Sequence, residues 1–178
     1  VTPPPVESTP QVAPFRPAQD WFVVEERDGL VHCVAWAPAE RLVRTTLTLL
    51  EQLDPAVDVV MESARDGRAW AGEQLSLGEV RLALAGLQRP LVTHGGVEVS
   101  VYTPEDQITL TSSLLLVLVS RSYRWTYLLE ASGFEQRERV PSPEWDPAGV
   151  LRRPAPALAT ALEAAAAALA LEPRYASA

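Results

Sequence analysis

Lysine and asparagine are absent from this chain, isoleucine and methionine occur once each, and all 15 basic residues are arginine. Codon bias in a GC-rich genome produces this pattern, so the abundance of Ala, Arg and Pro carries little functional meaning. Cysteine occurs once, at Cys33, which excludes an internal disulfide framework and any multi-cysteine metal cage. A reducing, cytoplasmic compartment is the default for such a chain. Only His32 and His94 could offer imidazole, so a zinc site would have to rely on carboxylates. Positive charge is also short: a net charge of −8 argues against non-specific nucleic-acid binding, and suits solubility or a basic partner. No apolar run approaches the ~20 residues that span a bilayer, and Leu114 to Val119 is only strand length. The amino end has no basic-plus-apolar secretory pattern, although a chain beginning at Val1 leaves open a leader removed earlier. P-loop, G-x-G-x-x-G and G-x-S-x-G motifs are all missing, which disfavours an enzyme and implies no cofactor.

What is present is enough for one core. At 178 residues and 47% hydrophobic content, one domain is the natural division. Residues 1–19 hold Pro3, Pro4, Pro5, Pro10, Pro14 and Pro17 among small polar residues, and read as a disordered tail. The folded domain is expected over 20–134, a proline-rich linker over 135–155 and an alanine-rich helix over 156–172. That helix has only a thin stripe of Leu158, Leu162 and Leu169, so it is expected to dock weakly or to pair with a partner.

Within the domain one arrangement recurs: a short apolar strand, an Arg-Asp-Gly turn, a second strand and a helix. It runs first through Arg27-Asp28-Gly29 and again through Arg65-Asp66-Gly67. Asp-Gly between alternating strands is a strong hairpin signal, because glycine takes positive φ at little cost. Leu42, Thr46, Leu49 and Leu53 repeat at helical spacing after Pro38, predicting a helix over 39–53 that Asp54-Pro55 ends. Ser76 and Glu79 form an S-x-x-E capping box, with Leu75 and Val80 as a hydrophobic staple. The helix they begin carries Val80, Leu84 and Leu87 and is expected to stop near Gln88-Arg89-Pro90. Strands follow at Val97 to Thr103, Gln107 to Ser112 and Leu114 to Val119. Tyr123, Trp125, Tyr127 and Leu129 alternate, which favours one more strand, although Trp125, Leu128 and Leu129 also fit a short helix.

Candidate chemistry is thin. His32 and Cys33 are strand neighbours that point to opposite faces, so they cannot form a base-and-nucleophile dyad. His94 precedes Gly95-Gly96 and reads as a turn residue. Glu25, Glu26, Glu62, Asp66 and Glu73 lie near hairpin edges, where two could converge for acid–base work, but solvated strand and turn positions account for them more simply. Trp21, Trp36, Trp70 and Trp125 fall in strand-like segments; core packing is the plain expectation, and an exposed pair would signal a binding surface.

From residue 39 the order helix, strand, strand, helix and three strands, with Leu49-Leu50-Glu51-Gln52-Leu53, Val57 to Met61, Arg65 to Ala69 and Leu114 to Val119, resembles the Roadblock (dynein light chain) family, in particular bacterial members that partner a Ras-like GTPase. The likeness spans roughly residues 39–121. It implies a non-catalytic homodimer whose second helix and third strand meet their symmetry mates, and whose paired surface engages the GTPase. By position, Val80, Leu84 and Leu87, or Arg81 on the opposite face, belong to that helix. Val99 and Val101 belong to that strand, and Tyr102 on its other face joins them as a contact candidate. Three features depart from the pattern: the extra amino-terminal hairpin, a short second helix and strand character after Tyr123.

The expected fold is α+β, built from ββα-like units, with a single mixed or antiparallel sheet of about five to seven strands and helices mainly on one face. The expected function is a non-enzymatic, self-associating protein-interaction module that regulates or scaffolds a protein partner such as a small GTPase. The sheet edge near Val97 to Thr103 and the helix after Ser76 would carry the contact. Alternatives are an acidic inhibitor, immunity protein or chaperone covering a basic partner surface, and a small-ligand sensor or divergent enzyme with a pocket near His32 or His94.

Overall fold

The computed structural model describes residues 20–139 and 154–175. The proline-rich 1–19 and most of the expected linker lie outside the described residues. In chain order the elements are β1 (Trp21–Arg27), β2 (Leu30–Trp36), α1 (Ala39–Leu50), β3 (Ala56–Ser63), β4 (Arg68–Ser76) and α2 (Leu77–His94). They continue with β5 (Val97–Tyr102), β6 (Asp106–Leu110), β7 (Leu116–Ser120), α3 (Arg124–Ala131), β8 (Glu135–Gln136), α4 (Pro156–Ala168) and β9 (Glu172–Tyr175).

The strands form one mixed sheet in the order β8-β1-β2-β7-β6-β5-β3-β4-β9, antiparallel throughout except between β1 and β8. The α+β class and single sheet agree with the sequence. Among the described residues the sheet has nine strands, above the expected range, because both edges are extended by short segments. β8 lies at the start of the expected linker, and β9 follows the terminal helix.

The first hairpin turns through a two-residue loop with φ of 52° at Asp28 and 75° at Gly29, the conformation that the twist of paired strands favours. The second closes over a longer loop, in which the Gly67 amide donates to the Ser63 carbonyl at 2.9 Å. The repeat seen in the sequence is not a repeat of topology. In the first hairpin the later strand, β2, faces the central meander through β7; in the second it is the earlier strand, β3, through β5.

The four described helices lie over one sheet face. Cys33, Ala35, Met61, Val99, Ile108 and Leu118 line that face and are buried beneath Leu42 and Leu50 of α1, Val80 and Leu87 of α2, Trp125 and Leu129 of α3 and Leu158 and Leu162 of α4. Each of the leucine, valine, isoleucine and methionine side chains contributes about 1.5–3 kcal/mol on leaving water, so the core rather than helix propensity holds these elements in place.

Helix boundaries correct several expectations. α1 ends at Leu50, and residues 51–53 tighten into turns in which Gln52 donates to Leu49 at 3.0 Å and Leu53 to Leu50 at 3.1 Å. Ser76 does stand at the N-cap of α2, but its side chain makes no capping bond; the Leu77 amide donates instead to the Pro55 carbonyl at 2.8 Å. α2 does not stop at Pro90 but runs on to His94. Burial of Leu87 and Leu91 on either side of the proline outweighs the loss of one backbone bond. The helix stops at Gly95, whose φ of 56° suits glycine and whose amide donates to Leu91 at 2.9 Å. α2 is therefore a long helix.

Residues 124–131 are helix, not strand. Trp125 and Leu129 are buried while Tyr123 and Tyr127 are exposed; on a strand all four would share one face, whereas on a helix positions 125 and 129 share a face that 123 and 127 leave. α4 is docked firmly against α2, with Leu158, Leu162, Ala165 and Ala166 buried. No helix among the described residues is long and apolar enough to cross a membrane.

Candidate functional site

The residues that could have made a catalytic centre are dispersed. Cys33 is buried beneath α3, 3.5 Å from the Thr126 hydroxyl, and burial pushes its thiol pKa up, which keeps it an inert core group. His32 lies on the opposite sheet face, as strand geometry requires. His94 is the last residue of α2 rather than a turn residue, and its carbonyl accepts a bond from Arg65. Glu25 pairs with Arg27 at 2.6 Å, and Glu26 accepts a 2.9 Å bond from the Tyr123 hydroxyl. Asp66 is engaged by Arg68; burial alone would raise its pKa, but hydrogen bonds from Ser63 and Arg68 hold it below the usual carboxylate value. Among the described residues no group of three His, Cys, Asp or Glu side chains is placed to hold a metal ion.

The carboxylates that do meet are Glu62 and Glu98, directly opposite each other across β3 and β5. Burial, reinforced by the Glu62 charge, raises the Glu98 pKa. They border a cleft of about 210 Å³ whose other walls include Ser63, Gly67, Arg68 and Ser112. Arg68 is committed to Asp66 and to Glu163 of α4 at 2.5 Å. Neither His32 nor His94 lines this cleft, although its wall residues Ala64 and Ser112 bond to Gly96, two positions beyond His94.

Of the residues proposed as partner contacts, Val80, Leu84, Leu87, Val99 and Val101 are core. They hold the helix layer on the sheet and are not available to a second molecule. Arg81 is partly exposed and ion-paired with Glu51 of the loop after α1. Tyr102 is half-buried on the helix-free sheet face. The expected edge at Val97 to Thr103 is not an edge: β5 is paired with β3 on one side and β6 on the other, so its backbone is satisfied within the molecule.

Two surfaces remain. One is the outward side of α2, where Gly78, Leu82, Ala85, Gly86, Arg89 and Thr93 are exposed at helical spacing. Leu82 is 77% exposed, the most exposed large hydrophobic among the described residues, and nothing lies within 4 Å of a side chain placed at Gly86. This stripe is masked in the sequence by the stronger apolar spacing of Val80, Leu84 and Leu87; its signal is a second apolar and small-residue face on the same helix. The other surface is the sheet face opposite the helices, over which no described helix lies. Trp21 and Trp36 stack there, ring centroids 6.4 Å apart and planes 14° apart, but Trp21 is buried and Trp36 half-buried, so the tryptophans do not form an exposed pair. Searches of protein-family models, of curated proteins and of solved structures gave no match to this chain.

Proposed function

We propose that this chain is a non-enzymatic, cytoplasmic protein-interaction module that self-associates through the outward stripe of α2 and presents the dimer to a protein partner. The observation that carries the reading is the self-complementarity of that stripe. Two helices paired antiparallel about a two-fold axis beside position 84 would set Leu82 of one protomer opposite Gly86 of its partner, a knob facing an open hole. The same axis would set Glu79 opposite Arg89, so opposite charges meet at both ends of the contact, about 15 Å apart along each helix. A chain with net charge −8 repels its own copies over most of its surface, which concentrates any self-contact where charge is balanced. The small Ras-like GTPase implied by the Roadblock resemblance, which rests on element order and the short segments quoted with it, is the first partner to test.

Sedimentation equilibrium at micromolar concentration tests self-association. The expected mass is twice that of the chain for wild type and the chain mass for Leu82→Asp, with unchanged circular dichroism; a monomeric wild type would refute it.

A second reading, an acidic inhibitor or chaperone covering a basic partner, is favoured by a separate observation. Glu62 and Glu98 face each other on the helix-free sheet face with no cation paired to either among the described residues.

A further inference from the structure

We infer that the sheet face over which no described helix lies is a docking surface for a basic, amphipathic segment of a partner protein, which lays apolar side chains across β1, β2 and β7 and sets arginine or lysine against Glu62 and Glu98. The inference deepens the reading as a module that covers a basic partner, and it is independent of the α2 contact.

The strand register builds the surface. Val23, Val34 and Val117 are consecutive cross-strand partners, and the same row continues through Thr109 and Ser100 to Val60. The row crosses six strands without a charge, about 24 Å at the usual strand spacing, the length of a helix of roughly 16 residues; Val34, Val117 and Val60 are its half-buried, accessible members, while Val23, Thr109 and Ser100 are buried between their neighbours. Its middle is already satisfied internally: the Ser100 and Thr109 hydroxyls bond at 2.8 Å, and the Gln107 amide donates to Thr109 at 2.9 Å. Covering those groups therefore strands no polar atom.

The ends differ in chemistry. At the β1-β2 end the row is flanked by the stacked Trp21 and Trp36. At the β3-β5 end it is flanked by Glu62 and Glu98 beside the cleft. Like charges directly opposite on neighbouring strands oppose folding, and Arg68, the cation lining the same cleft, is held by Asp66 and Glu163. A guanidinium or ammonium group from outside would relieve that repulsion, and it would be steered to an acidic molecule. Nucleic acid and an anionic membrane surface lack this complementarity; a basic protein segment has it.

The test is selection of random 16-residue peptides displayed on phage against the full chain, followed by fluorescence anisotropy of the synthesised winners. Expected are peptides in which arginine or lysine accompanies an apolar cluster, with binding weakened about tenfold by Glu62→Gln with Glu98→Gln. The charge-matched control Glu40→Gln with Glu130→Gln, on the helix side, should change it little. Basic peptides that bind the Glu62→Gln/Glu98→Gln variant as tightly as wild type would overturn this face while leaving the acidic-cover reading standing. Selected peptides without basic residues, or none that bind, would overturn both.

Discussion

Asp106 brings a carboxylate into the interior, where two side chains of α3 make it tolerable. The Trp125 indole donates to Oδ1 at 2.9 Å, and Arg124 lies 3.2 Å from Oδ2 while stacking over the Trp125 ring at 4.3 Å. Trp125→Phe would keep most of the packing and leave Oδ1 without its indole donor. A loss of about 2 kcal/mol is expected from urea denaturation, and a change within error would show the bond to be incidental. Glu98 makes the opposite case. Burial and the facing Glu62 raise its pKa, so the folded state holds this proton more tightly than the unfolded chain. The stability linked to that proton is complete below the ordinary glutamate value near 4.3 and is lost as pH rises through the raised value. Glu98→Gln should therefore be more stable than wild type at pH 7, by about 0.5 kcal/mol once solvent screening is allowed for. The gain should vanish by about pH 3, and a pH-independent difference would contradict the electrostatic cause.

At the scale of elements, local chemistry predicted the hairpins and non-local burial decided the helices. Asp28-Gly29 and Gly67 are at turns with positive φ, as their residue types require. Leu42, Thr46 and Leu49 located the start and buried stripe of α1 because they are close in sequence, but not its end at Leu50. Residues 123–129 misled because alternating aromatics suit a strand. Their helix buries Trp125 and Leu129 in the core and bonds Trp125 to Asp106 of the distant β6, a partner that no local pattern encodes. β9 was hidden for the same reason: Glu172 to Tyr175 carries no strand alternation and is ordered by pairing with β4. In the site, the Val80, Leu84 and Leu87 stripe was legible as an apolar face but not as a core one; only the fold shows that the sheet covers it and leaves Leu82 outside. Pro90 follows the same logic. Packing of Leu87 and Leu91 keeps the helix going despite a residue that removes the Gly86 acceptor's partner. Pro90→Ala should restore that bond and raise the urea midpoint by the equivalent of about 1–3 kcal/mol. A lower midpoint would mean that ring packing outweighs the missing bond.

The whole molecule is two-sided. One sheet face holds the core and its helix layer, and the other carries an uncharged row ending in paired carboxylates. α2 shows the same economy, with one side in the core and the other exposing Leu82 beside Gly86. Buried residues that hold the fold and the exposed residues proposed to meet a partner are thus separate sets within single elements, so the proposed contacts can be removed without unfolding the chain. The charge arrangement on α2 gives the most direct measurement, sedimentation equilibrium on a charge-reversal cycle. Glu79→Arg and Arg89→Glu should each weaken the dimer about tenfold by opposing like charges across the two-fold axis, and the double reversal should restore it. Single reversals that leave the mass unchanged, or a double reversal no better than either alone, would contradict antiparallel pairing through α2.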